Sequence, residues 1–143
     1  MDVVEIFFSF ADEDGEFYHK LRKHLSLPER DGQIHCRSRE DVRAGDDIAR
    51  ASQRLLESAA ILVLLISPTY LATSEQYQEL ELAIERQNAG QARVVPVLLK
   101  PGNYEGAAFH RLKPANTTPI SQASNADKLY SEIATTITKL AQQ

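Results

Sequence analysis

The chain has 143 residues, 43% of them hydrophobic and 25% charged, which is enough for one domain with a buried core. A net charge of -4 and a pI near 5.6 exclude nucleic-acid binding through a basic surface. The longest apolar run, residues 59–66, is far shorter than the roughly 20 residues that cross a bilayer, so we expect no membrane partner. The N-terminal residues lack a signal-peptide layout, and the single cysteine, Cys36, fits a reducing compartment. We therefore expect a cytoplasmic protein with one domain over residues 1–143, either complete or excised from a longer chain.

The first half of the chain predicts two strands and two helices. β-Branched and aromatic residues dominate 3–10, which is typical of a buried strand. Phe17, Leu21 and Leu25 recur at a spacing of four, which predicts a helix over about residues 14–25. A short second strand over 33–36 follows a loop, and the helical period of apolar residues resumes from Ile48 to Ala59.

The second half predicts three more strands and two more helices. The run 59–66 is apolar at every position, which favours a central parallel strand covered on both faces. Pro96 lies within the next strand and indicates an edge or irregular position. Together the elements predict a flavodoxin-like, doubly wound α/β fold, with a mostly parallel five-stranded sheet and helices on both faces. The predicted elements are strands 59–66, 92–100 and 118–121, a helix over about 74–87, a long loop over 101–117, and a closing helix marked by Leu129, Ile133, Ile137 and Leu140.

Ligands of such folds bind at the carboxyl edge of the sheet, where the strand order reverses. In the flavodoxin-like order this point lies between the first and third strands. The loops that end there span residues 10–14 and 67–74, and the second of them leads into the helix that carries Glu79. Topology alone therefore predicts a site beside this helix.

Common alternative chemistries lack their residues. Neither a GxGxxG after the first strand nor a GxxxxGK[ST] motif occurs, so the usual phosphate-binding loops are absent from the sequence. His35 and Cys36 are adjacent on a strand and His19 and His24 are five apart on a helix, so no metal site is expected. A phosphoacceptor receiver domain needs an aspartate where this chain has Ser67.

Three segments in register with the strand order resemble a known family. "IFFSFADED" resembles box 1 of Toll/interleukin-1 receptor (TIR) domains, and "REDVRAGDDI" resembles box 2 with its BB loop. "LLISPTYLATSEQYQEL" is similar to the third-strand region of the family, with twelve residues from Ser67 to Glu79. Two positions differ from the family pattern: Glu75 stands where catalytic relatives often carry Trp, and Phe109-His110 is the nearest remnant of the box 3 Phe-Trp.

The resemblance implies one of two functions. Some TIR domains are non-catalytic adaptors that bind other TIR domains, whereas bacterial and plant-like members cleave NAD+ at the nicotinamide–ribose bond. In the enzymes the residue matching Glu79 is catalytic, NAD+ is the substrate and no cofactor is needed. The resemblance thus implies an NAD+ glycohydrolase that releases nicotinamide and either ADP-ribose or a cyclic isomer. It also implies activity on self-assembly through the BB loop, in immune signalling or antiviral defence.

Physical chemistry supports a carboxylate in this role. Cleavage of an N-glycosidic bond builds positive charge on the ribose, and an ionised Glu can stabilise that charge. Residues three and four positions after Glu79 are Leu82 and Ala83, so the helix offers it no cationic partner there. The alternative is an ordinary acidic residue near a helix N-terminus. For Glu75, Glu81 and Glu85, that surface role is favoured.

The remaining predicted substrate-binding residues each have a structural alternative. Phe10 and Ala11 end the first strand, where Phe10 can stack on a ring or pack in the core. Arg43, Gly45 and Asp46 form the BB loop, or simply a surface turn that a glycine permits. Ser67 contacts ribose or caps the strand end. Tyr70 and Tyr77 are expected to line the pocket, and the alternative is that they pack in the protein interior.

Overall fold

Four parallel strands form a single sheet in the computed structural model, which describes residues 2–143. The order across the sheet is β2-β1-β3-β4, so the first and third strands lie side by side at its centre. The α/β class and the helices on both faces are confirmed. The strands are β1 (Val4–Ser9), β2 (Ile34–Ser38), β3 (Ile61–Ile66) and β4 (Arg93–Leu98).

The two central strands are apolar on both faces because helices cover both. β3 is buried at every position, as its unbroken apolar run predicts. Its register with β1 pairs Ile6 with Ile61 and Ser9 with Leu64. This register places the carboxyl end of β1 beside Leu64, two residues before β3 ends, so the loops after the two strands leave the same edge of the sheet.

Of the six α-helices found in residues 2–143, α1 and α6 pack on one face of the sheet and α3, α4 and α5 on the other. On the first face Tyr18 and Ile133 contact a core that includes Phe8, while Leu56 and Leu80 pack with Phe7 on the second. None of the helices found in residues 2–143 is both long and apolar enough to cross a membrane. The helices are α1 (Gly15–Lys23), α2 (Ser26–Arg30), α3 (Ile48–Ser58), α4 (Pro68–Ala72), α5 (Ser74–Asn88) and α6 (Ala126–Ala141).

The prediction of a fifth strand is wrong: the sheet formed by residues 2–143 has four strands. A 3-10 turn, Ile120–Gln122, begins within residues 118–121, where a strand was expected. Pro114 and Pro119 lack backbone N–H groups, so this segment cannot supply a full hydrogen-bond ladder. β4 is consequently an edge strand, which agrees with the position that Pro96 indicates.

One side chain replaces part of the absent strand. The Leu98 N–H donates to Asn116 Oδ1 at 2.9 Å, and Asn116 Nδ2 donates to the Leu98 carbonyl at 2.8 Å. The same Nδ2 donates to the Thr118 carbonyl at 2.9 Å, and the Ala115 N–H donates to the Pro96 carbonyl at 2.8 Å. The amide of Asn116 therefore pairs with the edge of β4 as a backbone peptide would, and the edge is closed to other strands.

We predict that Asn116→Ala lowers the free energy of unfolding by about 2–3 kcal/mol, because Asn116 is buried and its three hydrogen bonds are lost together. Urea unfolding followed by circular dichroism measures this. Asn103→Ala changes an exposed amide in the same long loop and is the matched control. Equal urea midpoints for the two variants would contradict the role given to Asn116.

Candidate functional site

The candidate site lies at the carboxyl ends of β1 and β3, where the strand order reverses as predicted. From this edge the chain after β1 runs into α1 on one face, and the chain after β3 runs into α4 and α5 on the other. The divergence leaves a cleft between the two loops, as the general rule for open α/β sheets requires.

Glu79 is the buried acidic residue of α5. Its relative exposure is 9%, whereas Glu75, Glu81 and Glu85 on the same helix are exposed. The difference follows from helical spacing: Gln76, Leu80 and Ala83 share the buried side of α5 with Glu79. The helix therefore turns one carboxylate of four toward the sheet.

A chain of buried hydrogen bonds holds that carboxylate. Ser9, the last residue of β1, donates from Oγ to Glu79 Oε1 at 2.6 Å. The Tyr70 hydroxyl lies 2.8 Å from Ser9 Oγ, and since the Ser9 proton is directed to Glu79, Tyr70 is the donor in that contact. Burial raises the pKa of Tyr70, so its hydroxyl keeps its proton and remains a donor. Ser9 contacts only Oε1, so both lone pairs of Glu79 Oε2 are left for other groups.

The Glu79 carboxyl has a shifted pKa. Burial raises its pKa above the ordinary value for glutamate, while the Ser9 hydrogen bond and the positive charge of Arg39 each lower it in part. A raised pKa with a specific charge partner in a cleft is the pattern expected of a functional carboxyl.

Arg39 is positioned by the turn that follows β2. β2 ends at Ser38, two residues later than the sequence predicted, and the turn Arg39–Asp41 begins there. Ser38 and Asp41 cap each other's backbone N–H groups in a capping box, which fixes the turn. Arg39 Nη1 then lies 3.7 Å from Asp12 Oδ1, across the mouth of the cleft.

Two adjoining cavities make up the site. The larger is an open cleft of about 560 Å³ and the smaller is a pocket of about 70 Å³ that contacts Glu79. They share Arg39, Ala49 and Glu75 as lining residues, so the smaller pocket lies beside the cleft. The cleft is lined by Ala11, Asp12, Glu13, Arg39, Ile48, Ala49, Thr69, Thr73, Glu75 and Gln76.

A second buried cluster ties the two loops together. Asp14 is fully buried and accepts a hydrogen bond from Ser67 Oγ at 2.5 Å, while Lys100 Nζ lies 3.4 Å from its other oxygen. Ser67 Oγ also accepts the Tyr70 N–H at 3.1 Å and so caps α4. At the rim, Thr69 donates to Glu13. Two side-chain contacts, Ser67 with Asp14 and Thr69 with Glu13, therefore join the loops after β1 and β3.

The structure brings together only some of the predicted site residues. Ala11 lines the cleft and Glu79 lines the adjoining pocket. Phe10 is buried and stacks on Tyr18, with 4.7 Å between ring centroids. Ser67 and Tyr70 are fully buried within the hydrogen-bonded clusters rather than lining the cleft. Their predicted contacts with substrate stay predictions.

The other predicted residues lie further out. Tyr77 is 39% exposed and lines a separate depression beside α4. Arg43, Gly45 and Asp46 form an exposed loop before α3, outside the residues that line the cleft. Gly45 has a φ of 91°, a left-handed conformation that favours glycine, so the turn predicted there is present.

Sequence reasoning missed Ser9, Arg39 and Ser52. Ser9 precedes the residue proposed for stacking, and its position as the last residue of β1 was the signal that could have identified it. Arg39 opens the polar segment after β2 that the family resemblance singles out. Ser52 carries no sequence signal, because a serine in the middle of an amphipathic helix is ordinary.

Comparison with known proteins assigns the family. The family model described as the TIR domain matches residues 6–132. The chain belongs to the TIR domain family. A protein of Sinorhizobium fredii (strain NBRC 101917 / NGR234), y4lF, is 30% identical over 139 residues, which cover 95% of this chain and 43% of that protein. The chain thus spans less than half the length of this curated relative.

Solved TIR structures share the fold. The heterodimer of the RPS4 and RRS1 TIR domains matches with a TM-score of 0.65 at 17% identity, covering 97% of this chain and 99% of that one. The TIR domains of the activated Roq1 resistosome, which directly recognises the pathogen effector XopQ, match with a TM-score of 0.59 at 17% identity over 96% of this chain and 84% of that chain. The TIR domain of the Toll-related receptor TRR-2 from Hydra magnipapillata gives 0.60 at 15% identity, over 76% of this chain and 80% of that chain.

We predict that Glu79→Gln stabilises the protein increasingly as pH rises. In the wild type the folded-state pKa of Glu79 lies above its unfolded value of about 4.3, so the folded state binds the proton more tightly. The resulting stability is present below the unfolded pKa and is lost as pH rises through the folded pKa. Gln at position 79 does not titrate and keeps the bond from Ser9.

Urea unfolding at pH 4 and pH 7 checks this expectation. The advantage of Glu79→Gln over wild type should be larger at pH 7 than at pH 4. Glu81→Gln, an exposed carboxyl on the same helix, should stay within about 0.5 kcal/mol of wild type at both. A Glu79→Gln advantage that is equal at both pH values would refute the raised pKa.

Proposed function

We propose that this TIR domain is an NAD+ glycohydrolase that cleaves the bond between nicotinamide and ribose. The observation that carries the proposal is the buried Glu79 carboxylate, held by Ser9 beside a cleft at the carboxyl edge of the sheet. A buried carboxylate costs free energy unless it is compensated, and here its pKa is raised by burial. Such a cost is typical of functional positions rather than of a surface helix.

The arrangement suits the charge that develops in this reaction. As the C1′–N bond breaks, its electron pair goes to the pyridinium nitrogen, nicotinamide leaves neutral, and positive charge collects on the ribose. An ionised carboxylate in a buried setting stabilises that charge more strongly than one in water. Because Ser9 occupies Oε1, the other oxygen of Glu79 can accept a hydrogen bond from a ribose hydroxyl.

The charges around the cleft favour the cationic half of NAD+. Asp12, Glu13 and Glu75 line the cleft with a single cation, Arg39. This negative potential attracts a nicotinamide ring, which is positively charged before cleavage, and repels the pyrophosphate. In the proposed complex the nicotinamide riboside half therefore enters the cleft and the pyrophosphate stays at its rim.

Self-association is the second proposed property. The similar solved structures include a TIR domain heterodimer and the TIR domains of a resistosome. In this chain Arg43, Gly45 and Asp46 lie on an exposed loop, and Ile48 just after it is 56% exposed although apolar. An exposed apolar residue beside an exposed turn of charged residues suits contact with another TIR domain. We propose that such contacts activate the enzyme in cytoplasmic defence signalling; in a non-catalytic adaptor they would be the whole function.

We predict that the protein releases nicotinamide from NAD+, and that Glu79→Gln lowers the rate by about 100-fold or more, because it removes the charge that stabilises the ribosyl cation. The assay is nicotinamide release at high protein concentration, with products resolved by chromatography.

Glu81→Gln is the matched control, since it removes an exposed carboxylate from the same helix. It should retain the wild-type rate. Release by wild type that persists undiminished in Glu79→Gln would refute the catalytic role of Glu79. No release from wild type, even in concentrated assemblies, would favour the interaction module.

A further inference from the structure

The pocket beside Glu79 is a built polar site between two helices. α3 contributes Ala49, Ser52 and Gln53 to its wall, and α5 contributes residues on both sides of Glu79. Arg39, Ala49 and Glu75 line both this pocket and the cleft. The complete lining is Arg39, Ala49, Ser52, Gln53, Glu75, Gln78, Glu79 and Leu82.

Two buried polar atoms in this lining lack a hydrogen-bond partner among residues 2–143. They are Ser52 Oγ, on a residue that is 2% exposed, and Arg39 Nε. Leaving a buried donor without a partner costs about 1–3 kcal/mol, so native proteins satisfy nearly all such groups. Both residues line the same small space, so a small polar ligand bound there is the partner that these two atoms lack.

The size and chemistry of the space fit water. A volume of about 70 Å³ is room for roughly two molecules, each taking about 30 Å³ in the liquid. Arg39 Nε–H donates, the Ser52 hydroxyl donates or accepts, and the Glu79 carboxylate accepts. Together these groups offer an ordered water the two to four polar partners that it needs.

We propose that this pocket binds the hydrolytic water, and that Ser52 and Arg39 position it for attack on the ribose. The inference rests on the proposed NAD+ glycohydrolase function and deepens it, because it assigns the nucleophile. The water oxygen forms a bond to C1′ as the C1′–N bond breaks, and the electron pair of that bond leaves with nicotinamide. The water gives one proton to Glu79, which later passes it to solvent, so NAD+ and water yield nicotinamide, ADP-ribose and a proton.

A water held in this pocket competes with nucleophiles that arrive through the open cleft. An adenine nitrogen, a ribose hydroxyl or an added alcohol must approach from the cleft side, whereas the pocket supplies water from beside Glu79. The pocket therefore favours hydrolysis over cyclisation or transfer. Ser52 acts here as a positioning residue, since it contacts the water and not the substrate.

The test is the product ratio in the presence of methanol. Wild type should yield mainly ADP-ribose, and Ser52→Val, which fills part of the pocket and removes the hydroxyl, should lower the ratio of ADP-ribose to methyl ADP-ribose about fivefold or more. Ser52→Ala removes the hydroxyl with less steric change and should lower the ratio in the same direction. Ser58→Val makes the same substitution at an exposed site of the same helix and should leave the ratio unchanged.

A merely structural role for Ser52 would change total nicotinamide release without changing this ratio. Normal release with an unchanged ratio in both Ser52 variants would overturn the inference alone. No release from wild type would overturn the proposed function and with it the role of the water as nucleophile. A high-resolution crystal structure of the wild type gives a readout that does not depend on activity: water bonded to Ser52 Oγ and Arg39 Nε supports the site, and its absence there overturns it.

Discussion

The hydrogen bond from Ser9 to Glu79 is the interaction on which the candidate site depends. It joins the end of β1 to the second turn of α5, two elements 70 residues apart in sequence. Without it, a helix that carries several acidic residues would have no reason to turn one of them inward at the cost of desolvation. Tyr70 completes the arrangement, because it donates to Ser9 from a third element, α4. The carboxylate is therefore oriented by three segments at once, which is how a preorganised site is built.

The rest of the sheet edge supports this constraint. Asp14, Ser67 and Lys100 connect the loops that follow β1, β3 and β4. These contacts tie together the loops from which the chain continues to the residues that line the cleft. The loop before α3, which carries Gly45, is exposed and outside these clusters. The protein thus combines a hydrogen-bonded candidate site at the sheet edge with an exposed surface loop.

Much of the fold follows from the sequence, and the reasons are local. The apolar run of β3 and the four-residue spacing of Phe17, Leu21 and Leu25 predict elements that the structure contains. The fifth strand was predicted because the short "TPIS" run resembles a strand. The structure of this segment instead depends on hydrogen bonds from the side chain of Asn116, which belongs to no periodic pattern. The periodicity of apolar residues cannot predict that one side chain will pair with the backbone at the edge of a sheet.

The candidate site was predictable only in outline. Topology and family resemblance both indicated Glu79, and helical spacing places it on the buried side of α5. Its partners were not predictable, since Ser9, Arg39 and Ser52 come from three different elements and meet only in the folded chain. Ser67 and Tyr70 illustrate the converse: their motif spacing indicated the right region, but in the structure they hold the scaffold together.

The most direct test is a carbon-13 NMR titration of the Glu79 side-chain carboxyl, assigned with Glu79→Gln and repeated in the presence of NAD+. The account predicts a midpoint above the ordinary glutamate value of about 4.3, a further upward shift in Ser9→Ala, and a change in the resonance when NAD+ binds. A resonance that titrates at the ordinary value in both proteins and does not respond to NAD+ would contradict it.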